Sequence, residues 1–209
     1  MFRFDKEVFV TGLPRCGSMF IFQLLNDLFA ARAATHVDGC AGVWPGKLIG
    51  KTHCMVDEHK NAPDILLIGT IRHPLQALCS WFCYKQYPLT STQILENAHG
   101  YHFMLQRIKE AQGWSNFHLV QYESWNKNHS VLYDKLEHIF DVSIPNALRL
   151  NLSKNHDIVQ NQAHVTNSIP WQSFFPEEYH DQLLKIFEED LIHFGYADKK
   201  EETKDSVID

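Results

Sequence analysis

Three short stretches of the 209-residue chain carry side chains able to hold an anion and move a proton. The first runs Val8-Phe-Val-Thr-Gly12-Leu-Pro-Arg15-Cys16-Gly17-Ser18, from an apolar segment through a glycine-containing turn into a helix-like one. In that context backbone N–H groups and a helix N-terminus cradle phosphate-like oxygens. Gly12 and Gly17 keep the spacing of a nucleotide-cleaving phosphate loop, yet Ser18 stands where such a loop places its lysine, and the cation here is Arg15. That disfavours an ordinary kinase or ATPase. The second stretch, Ile71-Arg72-His73-Pro74, closes a strand and opens a helix bearing Ser80. An arginine fork and a hydroxyl donor together suit a second anionic group. The third, Lys51-Thr52-His53, sets a cation and a titratable imidazole at another strand end. Taken singly, these are a tight turn, an arginine satisfied by backbone carbonyls and a structural histidine. Together they converge on one crevice.

The elements that must position them alternate. Apolar runs of strand length fall at 8–11, 48–52, 65–71 and 117–122, and helix-length segments at 17–32, 74–86, 92–112 and 131–140. This order, with strands apolar throughout, predicts an α/β fold in which a parallel sheet is sandwiched between helices as three layers. Ligands of such sheets bind beyond the carboxyl ends of the strands. A last helix is expected over 176–193, opened by Pro-Glu-Glu and stopped by Gly195, and a polar loop over 151–170 to cover the site. One domain over 1–197 followed by a polar tail over 198–209 is the simplest organisation.

Composition narrows the partners. With 19 Lys+Arg, 25 Asp+Glu and a net charge of −6, the chain offers no general field for nucleic acid or an anionic bilayer. The segment after Met1 reads as no leader, and the stretch 19–34 is too interrupted by polar residues to span a bilayer. Five cysteines without a CxxC pair read as reduced thiols in a cytoplasmic protein. His99 with His102, and His36 with Cys40, lack a matched tetrahedral set, so no metal is expected. Cys79 and Cys83 are expected to pack as small hydrophobes.

Taken together, the chemical residues resemble the sulfotransferases that use phosphoadenosine phosphosulfate (PAPS). Pro14-Arg15-Cys16-Gly17-Ser18-Met19-Phe20 is similar to the family's phosphosulfate loop, P-[KR]-S-G-T-T-W. Arg72, Pro74 and Ser80 match the spacing of its second motif, and Lys51-Thr52-His53 a K-T-H strand end found in many members. Tyr122-Glu123 looks like its Y-E-D strand end, and Trp171, Phe175-Pro176-Glu177 and Phe194-Gly195-Tyr196 like its C-terminal pattern. The resemblance covers nearly the whole chain in the right order, and implies the sulfotransferase variant of the P-loop NTPase-like fold.

It also implies roles. Arg15 would contact the bridging oxygen, and the loop N–H groups of Cys16, Gly17 and Met19, with Ser18, would bind the 5′-phosphosulfate. Arg72 and Ser80 would bind the 3′-phosphate, and Phe20 and Tyr122 would lie near the adenine. His53 would be the general base that frees a hydroxyl or amine of a small-molecule or carbohydrate acceptor, with Lys51 neutralising the transferring group. PAPS would be the cosubstrate and adenosine 3′,5′-bisphosphate (PAP) the product, with no metal. Three departures stand out: Met19 replaces a hydroxyl, Cys16 replaces a serine, and no arginine follows Arg149. The family's C-terminal R-K-G element is therefore absent, with Lys154 or His164 as substitutes. A carboxylate base, Glu58 or Asp57, is an alternative. The rival readings are a small P-loop kinase and a non-catalytic nucleotide-binding or scaffold protein of the same fold.

Overall fold

The computed structural model describes residues 6–29, 49–53, 57–147, 149 and 169–197. Four strands, β1 (Glu7–Gly12), β2 (Ile49–Lys51), β3 (Ile65–Ile71) and β4 (Phe117–Gln121), pair entirely in parallel in the order β2-β1-β3-β4. Parallel pairing sends all four carboxyl ends to one edge of the sheet, where the chemical residues follow their strands.

Because side chains alternate along a strand, the sheet divides the apolar residues between two cores. Phe9, Ile65, Leu67, Ile71 and Phe117 face one side, with α2 (Pro74–Lys85), α3 (Ser91–Ala111), α6 (Trp171–Phe174) and α7 (His180–His193). Val8, Val10, Leu66, Ile68 and Val120 face the other, with α1 (Ser18–Phe29), α4 (Tyr122–Trp125) and α5 (His129–Phe140). The architecture is the expected three-layer α/β sandwich. β3 sits between β1 and β4 and is buried at every position, which is why it carries no polar alternation.

Local chemistry sets the helix ends. Pro74 opens α2, where a missing N–H costs nothing. Thr90 and Asn128 cap α3 and α5 by accepting from the Gln93 and Ser130 N–H groups. The Asn128 cap explains why α5 starts at His129 and not at 131. Two expected boundaries differ more. Tyr122 does not end β4; it opens α4, because the chain turns beneath the loop that follows β1. The last helix is broken at its start: Glu177–Tyr179 form a 3₁₀ turn before α7 begins at His180. Residues 30–32 of the first expected helix and 151–168 of the expected loop lie outside the described residues.

Candidate functional site

The turn after β1 needs unusual backbone at three points. Gly12 has φ 140°, and a Cβ there would lie 2.1 Å from the Thr70 carbonyl oxygen on β3. Gly17 has φ 86°, and a Cβ would lie 2.8 Å from the Trp125 ring. Arg15 adopts φ 67° although it has a side chain, a conformation that costs about 1–2 kcal/mol outside glycine. Such strain persists where surrounding structure enforces it. From α3, the buried Tyr101 hydroxyl donates to the Pro14 carbonyl at 3.2 Å. From within the turn, the Cys16 thiol donates to the Leu13 carbonyl and lies 2.7 Å from Thr70 Oγ1. Burial pushes that thiol up to about 11, so Cys16 stays protonated at neutral pH and braces the loop. Ser18, buried, begins α1, whose first-turn N–H groups point back at the turn.

Lys51 and His53 stand beside this loop. His53 Nδ1 lies 2.8 Å from the Gly12 carbonyl oxygen, and Nε2 lies 3.0 Å from Lys51 Nζ. A carbonyl only accepts, so Nδ1 carries the proton and Nε2 presents a lone pair that accepts from the ammonium. The imidazole is thereby neutral, with its tautomer fixed by β1. Lys51 itself is only 4% exposed, so its ammonium depends on such partners.

The two arginines meet across the turn. Arg72 Nη1 donates to the Arg15 carbonyl at 3.4 Å, while its guanidinium lies 4.9 Å from the Tyr122 ring centroid. Arg15 Nε donates to Ser80 Oγ at 3.2 Å, and its guanidinium lies 4.9 Å from the Tyr84 ring centroid. Burial, with Arg72 adding like charge against opposing tyrosines, lowers the Arg15 pKa. The Ser80 hydroxyl on α2 is thus tied to the loop through Arg15. Phe20 stacks on Trp125 at 4.8 Å and packs against His129, and Met19 packs against the apolar core.

Of the alternative bases, Asp57 is held at 2.7 Å by Arg107, whose hydrogen bond and charge lower its pKa and weaken it as a proton acceptor. Glu58 is exposed on the same short turn. Lys154, His164, His36 and Cys40 lie outside the described residues. Among the described residues no group of three or more His, Cys, Asp or Glu could hold a metal ion, and no helix is long and apolar enough to cross a membrane.

Sequence reasoning missed Tyr84, Tyr101 and Thr70, which brace the loop from 54 to 87 positions away. It also gave Glu123 no role, although that carboxylate ties two segments together. Tyr84 was legible only as one more aromatic on α2, since nothing local says that it lies against Arg15.

No protein-family model and no curated protein matches the sequence. Solved structures do match the fold. Mouse sulfotransferase SULT7A1 complexed with PAP superposes with a TM-score of 0.64 at 12% identity, covering 93% of this chain and 86% of that one. Retinol dehydratase with androsterone and inactive cofactor PAP gives 0.61 at 14% identity, covering 92% and 82%. Retinol dehydratase with retinol and PAP gives 0.60 at 13%, covering 92% and 83%. The chain has the sulfotransferase fold that its motifs resemble.

Proposed function

We propose that the protein is a cytoplasmic sulfotransferase that moves a sulfuryl group from PAPS to a hydroxyl or amine of a small-molecule or carbohydrate acceptor. The observation that carries this is the chain from the Gly12 carbonyl through His53 to Lys51, set beside the strained loop that holds Arg15. It supplies an oriented base and a cation at one point. The fold likeness to PAP-bound sulfotransferases supports the same reading.

In this reading the loop N–H groups from Cys16 to Met19 and the Ser18 hydroxyl bind the 5′-phosphosulfate, and Arg15 faces the bridging oxygen. Arg72 and Ser80 take the 3′-phosphate; the Arg15–Ser80 bond links the two ends of the nucleotide. Phe20 and Tyr122 flank the adenine. The acceptor oxygen or nitrogen bonds to sulfur as His53 Nε2 takes its proton. The bond from sulfur to the bridging oxygen breaks, and its electron pair leaves with PAP. Lys51 must first turn its ammonium from Nε2 towards the sulfuryl oxygens, so arrival of the anion unmasks the base. Positioned cations around equatorial oxygens are what such a transfer requires, and Arg15 and Lys51 provide them without a metal.

The test is thermal unfolding with PAP in magnesium-free buffer, followed by transfer from radiolabelled PAPS to an acceptor panel. At a hundredfold excess over Kd the ligand stabilises by about 2.7 kcal/mol, or roughly 5–10 °C for a domain of this size. A response to Mg-ATP alone overturns the reading. A second reading, a nucleotide-binding protein without turnover, is favoured by Met19, which packs into the core where a phosphate-binding hydroxyl would stand. PAP binding without transfer to any acceptor would select it.

A further inference from the structure

The carboxylate of Glu123 joins two segments that meet beside Arg72. Its Oε1 accepts the His73 backbone N–H at 2.8 Å, and its Oε2 accepts the Tyr196 hydroxyl at 2.7 Å. His73 is the residue after Arg72, and Tyr122, the residue before Glu123, lies under the Arg72 guanidinium at 4.9 Å. The turn from β4 into α4 therefore grips Arg72 twice, by a ring under its head and by a carboxylate on the peptide behind it. The Tyr196 ring packs 5.1 Å from the His73 ring, and Gln121 Nε2 donates to the Phe194 carbonyl at 3.4 Å, so the segment after α7 is drawn across the same strand end. Burial and the facing Glu123 raise the Tyr196 pKa, so the phenol keeps the proton it donates.

Both donors on Glu123 are neutral. The carboxylate is satisfied without an ion pair to Arg72, and among the described residues Arg72 makes none.

We infer that Glu123, braced by Tyr196, is the residue that positions Arg72 for a 3′-phosphate and keeps its charge for that group. The inference rests on the reading of Arg72 given above. It predicts an effect on discrimination and not on binding in general. Calorimetric titration of PAP and of adenosine 5′-monophosphate into the wild-type protein should give a clear preference for PAP. Glu123→Ala should cut the ratio of the two affinities by roughly fivefold, the equivalent of about one hydrogen bond, with 5′-monophosphate binding unchanged. Glu123→Gln, which keeps an acceptor for His73 N–H, should restore most of it. Tyr196→Phe removes a single oxygen and reads the same ratio in a protein that folds even where Glu123→Ala does not; it should lower the ratio by about twofold, part of that hydrogen bond. An unchanged ratio in Tyr196→Phe and Glu123→Ala, or equal weakening of both nucleotides, overturns the inference. A wild-type protein with no preference for PAP overturns the Arg72 reading itself.

Discussion

Two clusters of charge in this molecule follow opposite logic. Between α3 and α7, Asp190 is fully buried, yet Lys109 Nζ and His102 Nδ1 each lie 2.7 Å from its oxygens and Gln106 Nε2 lies at 3.1 Å. That charge is answered inside the fold. At the carboxyl edge of the sheet Arg15, Lys51 and Arg72 gather instead, and the contacts described for them are to a hydroxyl, a carbonyl, an imidazole and two tyrosine rings. The first arrangement ties two helices together; the second assembles positive charge around a strained turn, which suits an anion from solution. Whole-chain charge, at −6, describes neither.

The contrast breaks first at His53. His53→Ala should lower transfer by about 10²–10⁴-fold, measured with saturating PAPS, while PAP affinity stays near wild type; a large affinity loss would make the histidine structural. Asp190→Ala should do the reverse. It leaves the Lys109 ammonium, 16% exposed, without its carboxylate, and should cost about 3–5 kcal/mol in urea unfolding.

Acid gives a third separation. His59 is 1% exposed, stacks 5.3 Å from Phe9, and among the described residues has no hydrogen-bond partner on either ring nitrogen. Burial holds its pKa below 6.5, and lowers those of His73 and His118 likewise. Below about pH 6.5 the unfolded chain takes up protons that the folded chain refuses. Stability should therefore fall as pH drops from there through the depressed folded values, by up to about 1.4 kcal/mol per unit for each histidine. His59→Phe should flatten that slope in unfolding measured between pH 7 and 5. The smallest stability effect belongs to Arg15→Gly. Release of a left-handed conformation, about 1–2 kcal/mol, offsets the loss of the Tyr84 contact and the Ser80 bond, about 1–2 kcal/mol together. Unfolding should shift by less than about 1 kcal/mol, while PAP affinity falls roughly tenfold or more.

Much of this is legible in the sequence. The apolar run 65–71 is β3 to the residue, because a strand buried on both faces is bounded only by its polar neighbours. The loop from Gly12 to Ser18 and the strand-end residues Lys51, His53 and Arg72 were readable because turn chemistry and strand termini are local. Tyr122 was misplaced as a strand end because its helical start depends on packing beneath Gly17. The bond between Ser80 and Arg15 was not legible, because a helix periodicity says which residues share a face and not what that face meets. Glu123 and Tyr196 lie 73 positions apart, and no sequence pattern on either side announces their bond. Of 13 histidines, the sequence singled out His53, while His59 packs against Phe9 and His102 hydrogen-bonds to Asp190.

The strand-end cations Arg15, Lys51 and Arg72 are proposed to bind PAP. Calorimetric titration of PAP into the wild-type protein and into Arg72→Ala, in magnesium-free buffer, tests it most directly. Saturable binding to the wild type is expected, with at least about tenfold weaker binding to the variant, the loss expected for a charge-assisted contact. No binding to the wild type, or equal affinity for the two proteins, would contradict it.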